Sequence, residues 1–366
     1  MRAFLDVTAA AKERKTGIGH YVTRLVTAML AVDPELRLTL GVRTGVERRP
    51  GQVLAPDTPG ADRARRRWFW TRMPGLATAG ADVAHGPDAR LVGGPKPQVV
   101  TFHDLFNAKG NGWGTASFQA LKRDRYVRAA AEADRILCVS EATAREVSAH
   151  LNVARERIVV TPLGVDGRFR PVAPDVGAPT LARLGVRPPY LLFVGLAQPR
   201  KNLETIATVF GRIAARRDDV SLVLAGEDGY PEGRLDAILK ETGATERVVR
   251  TGYVDPADLP PLYSAAGCLL FPSRDEGFGL PVIEAMACAC PVVASNAGAL
   301  LEVVGPGGLT APPDATDDLE EMVTRMLEDD DARRAEIERG RRHAAQFTWE
   351  RTARVTLDAY RAAIAG

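Results

Sequence analysis

The chain has 366 residues, 45% of them hydrophobic and 26% charged, with a formal net charge of +2. That length predicts two domains of roughly 150 to 200 residues rather than one core, and the composition is that of a soluble globular protein, not a disordered one. The near-neutral balance gives no global case for nucleic-acid binding.

From the amino terminus, RAFLDVT, IGHYVTRLVTAML and LRLTLGV follow the rhythm of strand, helix and strand. Tyr21, Val22, Leu25, Val26, Met29 and Leu30 recur at helical spacing and form one apolar face to lie on a sheet. The stretch ADRARRRWFWTRMP, 61 to 74, combines five arginines with Trp68, Phe69 and Trp70. Two readings stand: a surface helix whose aromatic side packs on the sheet, or a patch, Arg63 to Trp70, that docks on an anionic membrane or a lipid-linked acceptor. Later runs at 98–104, 135–140 and 157–162 are almost continuously apolar, as strands of a parallel sheet covered on both faces are.

Residues 167–190 carry five prolines without a sustained period and read as a linker. The alternation then restarts with apolar runs at 190–195, 220–226, 247–252, 267–273 and 291–295. The fold class expected is α/β, with two doubly wound parallel-sheet domains at 1–170 and 186–348. A last helix spans roughly 349–364 by its apolar spacing. Cys138, Cys268, Cys288 and Cys290 follow no metal-binding spacing and read as buried thiols in a reducing cytosol. The first residues carry one basic side chain and no long apolar region, and no uncharged apolar stretch of about 18 residues occurs, so the expectation is a cytoplasmic protein without a membrane span.

In doubly wound sheets, ligands gather where strand carboxyl ends meet helix amino termini. Four such places stand out. Thr16-Gly17-Ile18-Gly19 opens the first helix; its glycines either serve the turn or let a ligand approach bare amides. His103 and Asp104 end a strand, and His103 is either a core residue or a hydrogen-bond donor to a sugar or phosphate. Gly195 ends another strand, and Arg200 and Lys201 stand side by side before a helix that Asn202 is placed to cap. Two cations beside a helix amino terminus suit a diphosphate.

The fourth is SRDEGFGLPVIEAMACACPVVAS, 273 to 295. Glu276 lies in a glycine-flanked loop at a strand end, and Glu284 falls about one turn into the next helix. A carboxylate accepts two hydrogen bonds side by side, so each can grip a pair of sugar or ribose hydroxyls. The amides of Gly277, Phe278 and Gly279 are placed to face an anion. Glu284 sits among Val282, Ile283, Ala285, Met286 and Cys288, where a carboxylate without a partner is costly; that cost favours a functional role.

Together these residues resemble the family 4 retaining glycosyltransferases of GT-B fold. The resemblance rests on Gly17-Ile18-Gly19, His103-Asp104, Ala133-Asp134-Arg135, Val139-Ser140-Glu141, Thr161 to Asp166, Pro199-Arg200-Lys201-Asn202-Leu203, Gly252-Tyr253-Val254 and Glu276 to Pro281 with Glu284-Ala285. It implies two Rossmann-like domains facing a cleft, with the helix 349–366 crossing back to the first. Glu276 would bind hydroxyls of the donated sugar and Glu284 the ribose. Arg200 and Lys201 would hold the diphosphate, His103 would sit near the reaction centre, and Gly17 would close over the phosphates. The remaining donor contacts implied are Gly195, Val254, Gly277, Phe278, Gly279 and Leu280. Leu196 stands where many relatives carry arginine, and Gln198 where many carry glutamate.

The expected reaction moves mannose, glucose or N-acetylglucosamine from a nucleotide diphosphate to a hydroxyl acceptor, with His103, Glu276, Arg200 and Lys201 at the chemistry. Pre-placed cations and helix amides stabilise the leaving diphosphate, so no metal or other cofactor is expected. The partners expected are the donor and a hydroxyl acceptor, free or lipid-linked, with no nucleic acid and with peripheral membrane contact as an open reading. Two rivals are a nucleotide-sugar epimerase of the same architecture, for which five histidines supply few acids and bases, and a non-catalytic nucleotide-sugar sensor.

Overall fold

Apolar runs become strands buried along their whole length, as in Gln98–Phe102 and Tyr190–Val194, because helices cover both faces of each sheet. The computed structural model describes residues 1–11, 16–44, 53–55, 57–69, 74–94, 97–106, 109 and 116–366. The chain forms two units, Met1–Gly164 with Thr348–Gly366, and Val165–Phe347.

In the first unit the elements run β1 (Arg2–Asp6), α1 (Gly17–Val32), β2 (Arg37–Arg43), β3 (Ala64–Phe69), α2 (Pro74–Thr78), β4 (Val83–Gly86), β5 (Gln98–Phe102), α3 (Ala116–Glu132), β6 (Arg135–Cys138), α4 (Glu141–Leu151) and β7 (Ile158–Val160). Among the described residues the strands form one parallel sheet in the order β3-β2-β1-β4-β5-β6-β7. The order reverses between β1 and β4, which makes a crevice at their carboxyl ends. As the periodicity predicts, α1 buries Tyr21, Val22, Leu25, Val26, Met29 and Leu30.

The second unit runs α5 (Pro174–Arg183), β8 (Tyr190–Val194), α6 (Leu203–Ala214), β9 (Ser221–Ala225), α7 (Arg234–Lys240), β10 (Val248–Gly252), α8 (Leu259–Ser264), β11 (Cys268–Phe271), α9 (Leu280–Ala287), β12 (Val292–Ser295), α10 (Leu300–Val304), β13 (Leu309–Ala311), α11 (Thr316–Glu328) and α12 (Asp330–Ala344). Its parallel sheet has the order β10-β9-β8-β11-β12-β13, with the reversal between β8 and β11. The chain then re-enters the first unit as α13 (Trp349–Ala365), which packs on α1.

Two expectations are corrected. The proline-rich stretch is not wholly a linker: α5 forms within it and packs on α8. Pro174 falls in the first helical turn, where its missing N–H removes no helical bond, so the proline count misleads. The basic-aromatic stretch is not a helix. Ala61–Arg63 makes a single 3-10 turn, and β3 is a parallel edge strand on β2. Phe69 turns inward, but Arg65, Arg66, Arg67 and Trp68 are all exposed, Trp68 by 51%, so this edge strand does not alternate. Trp70 and residues 71–73 lie outside the described residues. Among the described residues no helix is long and apolar enough to cross a membrane.

Candidate donor site

The second unit places its candidate residues at the β8/β11 reversal. Past Val194 the chain takes a φ of +142° at Gly195, a conformation that glycine adopts without strain, and runs into a 3-10 turn, Pro199–Lys201. Asn202 follows in the left-handed region (φ 58°, ψ 50°), and α6 begins. Asn202 occupies the N-cap position, but its side chain does not cap the helix. Instead Nδ2 donates to the carbonyls of Pro272 at 3.1 Å and Pro313 at 2.9 Å, tying this loop to the one that follows β11.

The loop after β11 closes onto the same turn. Arg274 N donates to the Arg200 carbonyl at 2.8 Å, and Arg200 Nη1 donates to Asp275 O at 2.8 Å. Glu276 is thereby set between both cations: Arg200 Nη1 donates to Oε2 at 2.9 Å, and Lys201 Nζ to Oε1. Lys201 and Glu276 are both buried, and the ammonium also lies 4.7 Å from the centre of the Phe271 ring. Burial alone would raise the Glu276 carboxyl, but the charges and hydrogen bonds of Lys201 and Arg200 outweigh it and hold the group below the usual carboxylate range. The Glu276 carboxyl is therefore ionised at neutral pH, held by both cations.

Gln198 acquires a role that its sequence position does not reveal. Oriented with its amide oxygen toward Arg200, it accepts from Nε at 2.9 Å and Nη2 at 3.2 Å. A neutral amide orients the guanidinium without cancelling its charge, as a glutamate there would.

Gly279 is the N-cap of α9 at φ +101°, Leu280 is its first residue, and Phe278 is buried edge-on to Phe347 with ring centres 5.9 Å apart. Glu284 is half-buried on α9 and accepts from the Tyr263 hydroxyl at 3.1 Å. Burial raises its carboxyl to about 7, with the Tyr263 hydrogen bond pulling the other way. Val254 is buried just past β10, whereas Tyr253 is 46% exposed.

In the first unit His103 stands just past β5. Its Nε2 lies 2.9 Å from the Pro87 carbonyl, which only accepts, so Nε2 carries the proton. Burial holds its pKa below the ordinary histidine value. The neutral ring thus presents Nδ1 as an acceptor; the ring N–H expected for a sugar or phosphate is already engaged, which corrects the donor role. The Tyr21 ring packs edge-on at 4.8 Å. Gly17, the first residue of α1, is exposed with open space around its Cα, as close approach to backbone requires.

One functional arrangement lies outside the sequence reading. His85, fully buried on β4, bridges the Tyr360 hydroxyl of α13 (2.6 Å from Nδ1) and Thr101 Oγ1 (2.8 Å from Nε2), and Thr101 in turn lies 3.1 Å from the Tyr21 hydroxyl. This chain of hydrogen bonds fixes the tyrosine against which His103 packs. Histidine within an apolar strand is the one signal the sequence offers for it.

Two doubly wound parallel α/β sheets, one with Arg200 and Lys201 gathered at its reversal, are the architecture of the GT-B glycosyltransferases. Comparison with known proteins agrees. The Glycosyl transferases group 1 profile matches residues 183–343, and that of Glycosyltransferase Family 4 matches residues 16–168. The chain is 32% identical to O-antigen chain mannosyltransferase B of Escherichia coli, over 94% of this chain and 96% of that one. It is 33% identical to the MMP alpha-(1->4)-mannosyltransferase of Mycolicibacterium hassiacum, over 65% of this chain and 56% of that one. Among solved structures, sucrose-phosphate synthase from Thermosynechococcus elongatus superposes with a TM-score of 0.75 at 22% identity, covering 100% of this chain and 99% of the other. HepE of Anabaena in complex with UDP gives 0.75 at 18% identity, covering 99% of each chain. The chain belongs to the family 4, group 1 glycosyltransferases and is a nucleotide-sugar-dependent hexosyltransferase.

Proposed function

We propose that this enzyme transfers mannose from a nucleotide diphosphate donor to a hydroxyl of a growing glycan, with retention at the anomeric carbon. The observation that carries the donor half is the Arg200–Glu276–Lys201 trio. Its two cations bind the diphosphate and offset the charge that grows as the sugar–phosphate bond breaks, without a metal. Glu276 binds sugar hydroxyls, Glu284 binds the ribose, and the amides of Gly277, Phe278 and Gly279 with Leu280 line the anion. Gly195 leaves room beside Lys201, Val254 lies along the nucleobase, and Gly17 approaches the phosphates. The acceptor oxygen attacks on the face from which the diphosphate leaves, and its proton passes to a departing phosphate oxygen. His103 accepts a hydrogen bond from the sugar through Nδ1. Support for mannose comes from the Escherichia coli relative, whose match spans nearly both chains.

Nucleotide release is the test: the protein with GDP-mannose, UDP-glucose or UDP-N-acetylglucosamine and a mannan acceptor. Release and sugar incorporation from GDP-mannose alone are expected; turnover of only the UDP donors would overturn mannose, and an epimerised donor would point to an isomerase.

Membrane contact through Arg63–Trp70 is proposed in a narrower form. Arg63 donates to the carbonyls of Leu30 at 2.6 Å and Asp33 at 2.7 Å, and Arg67 to those of Leu76 at 3.0 Å and Ala77 at 3.1 Å. These arginines serve the fold, so Arg65 and exposed Trp68 carry the contact. Co-sedimentation with anionic vesicles at low salt, lost in Arg65→Gln/Trp68→Ala, is the expected result; no binding by the wild type removes the contact.

A further inference from the structure

The loop that carries Glu276 is braced from two sides. On one side lies α10. Ala299 N, at its start, donates to Glu276 O at 3.1 Å, and Leu300 packs so closely on Gly279 that a Cβ there would fall 2.7 Å from Leu300 Cδ2. On the other side lies Phe347, edge-on to Phe278 with ring centres 5.9 Å apart. Backbone and side chain of α10 thus hold the ends of the loop 276–279, and an aromatic ring holds its middle.

Both braces meet at His343 of α12. Val303 O, in α10, accepts from its Nε2 at 2.9 Å, which occupies one of the carbonyls that a helix end leaves without an intrahelical partner. The same imidazole lies edge-on to Phe347 with ring centres 5.2 Å apart. His343 is buried, and the turn after α10, Gly305–Gly307, is shaped around it. A Cβ on Gly305 would fall 2.9 Å from His343 Cε1, and one on Gly307 2.7 Å from His343 Cβ. Phe347 is fixed in its turn: its carbonyl accepts from Val165 N at 3.0 Å, and its N–H donates to Ala344 O at 3.0 Å.

Leucine or phenylalanine would fill such a socket without bringing polar atoms into the core, where each is costly unless it is hydrogen-bonded. Histidine combines in one side chain a ring for Phe347 and an N–H for α10. We propose that His343 is a positioning residue for the donated sugar: by holding α10 and Phe347 in place, it fixes the loop from which Glu276 reaches the sugar hydroxyls. His343 acts through Glu276 and touches no reacting atom. The proposal rests on the donor role of Glu276.

The test is calorimetric titration of the full chain with GDP-mannose and with UDP-glucose, and with GMP and UMP as controls that lack the sugar. His343→Phe keeps a ring against Phe347 and loses the N–H; His343→Gln keeps an N–H and loses the ring. Affinity for the nucleotide sugar that wild type binds is expected to fall about tenfold in His343→Phe and about threefold in His343→Gln, with affinity for the matching monophosphate within about twofold of wild type. Added to Glu276→Gln, His343→Phe should weaken binding by less than about twofold more, because the carboxylate it serves is gone. Equal nucleotide-sugar affinity in wild type and both variants would overturn the proposal, and so would a loss of the same size with and without Glu276. A parallel fall for nucleotide sugar and monophosphate marks general damage to the fold and overturns it too. If His343→Phe does not melt cooperatively, Phe347→Leu makes the same comparison from the other brace, with the same pattern expected. A wild type that binds neither nucleotide sugar removes the donor role of Glu276 and the proposal with it, an outcome distinct from wild-type binding that His343 leaves unchanged.

Discussion

The Tyr263 hydroxyl donates to Glu284 Oε2 at 3.1 Å, so the carboxylate proposed for the ribose is already held at one oxygen by the core. That single bond does not offset burial, and the carboxyl rises to about 7. The folded pKa lies above the unfolded value, so the stability it contributes is full below about pH 4.5 and is lost as pH rises through about 7. A tenfold difference in proton affinity between the folded and unfolded chains is worth about 1.4 kcal/mol, which makes the whole effect a few kcal/mol. Glu284→Gln removes it. Urea unfolding at pH 5 and pH 8 should show the variant gaining on wild type at the higher pH, while its nucleotide affinity falls. A constant difference between the two proteins across that range would refute the assignment.

The Lys201–Glu276–Arg200 trio couples stability to chemistry. Lys201→Ala leaves Glu276 buried with one cation, and breaking a buried pair by removing one partner costs about 3 to 5 kcal/mol. Turnover should fall by about 100-fold or more, since a lost charge-stabilising donor of this kind costs about 3 to 4 kcal/mol in the transition state. Lys201→Ala/Glu276→Ala should be more stable than the sum of the single changes, because the stranded charge is gone. Steady-state kinetics and urea melts decide. Turnover within a few-fold of wild type in either single variant would sink the role.

Much of this is legible in the sequence because the residues carry their environment in their neighbours. Glu276 at a strand end just before Gly277 and Gly279, and Glu284 inside an apolar helix, state a position and a cost on their own. What is not legible depends on contacts distant in the chain. Asn202 looks like a helix cap locally, yet its amide is spent on Pro272 and Pro313. Gln198 gains meaning only when Arg200 turns toward it. The 61–74 stretch misleads because arginines suit helix and strand alike, and pairing with β2 decides which forms. His85 shows locally only that a histidine sits in an apolar strand; its partner Tyr360 lies 275 residues away.

The His85 chain makes a prediction of opposite sign to that of Glu284. Burial drives the His85 pKa down to about 3, and a proton taken up by nearby His103 in acid would act in the same direction. The unfolded chain therefore binds a proton that the folded one refuses. This stability is full above about pH 6.5 and is lost progressively as pH falls toward 3. Tyr360→Phe strands Nδ1 in the core and should cost about 1 to 3 kcal/mol at neutral pH. Urea melts from pH 7 to 4.5 on wild type and on His85→Phe measure the first effect. A wild type that loses no more stability than His85→Phe over that range would refute a neutral, buried histidine.

Gly226 tests how the donor cradle is supported from behind. It follows β9 at φ +146°, and a Cβ there would fall 2.0 Å from the Gly195 carbonyl oxygen, a backbone atom that cannot swing aside. Gly195 is in turn the residue beside Lys201, with the Nζ 3.9 Å from where its own Cβ would lie. Gly226→Ala must therefore displace the Gly195 turn, and overpacking of this kind costs roughly 1 to 3 kcal/mol beyond the backbone strain. Gly233→Ala is the matched control: φ is +74°, but nothing lies within 4 Å of the added carbon, so only the left-handed cost of roughly 1 to 2 kcal/mol applies. Thermal melts should rank wild type above Gly233→Ala above Gly226→Ala. Nucleoside diphosphate affinity should fall at Gly226→Ala alone, because only that change pushes on the turn leading into Arg200 and Lys201. Equal loss of affinity in both variants would mean that the strand ends behind the cradle do not set its geometry.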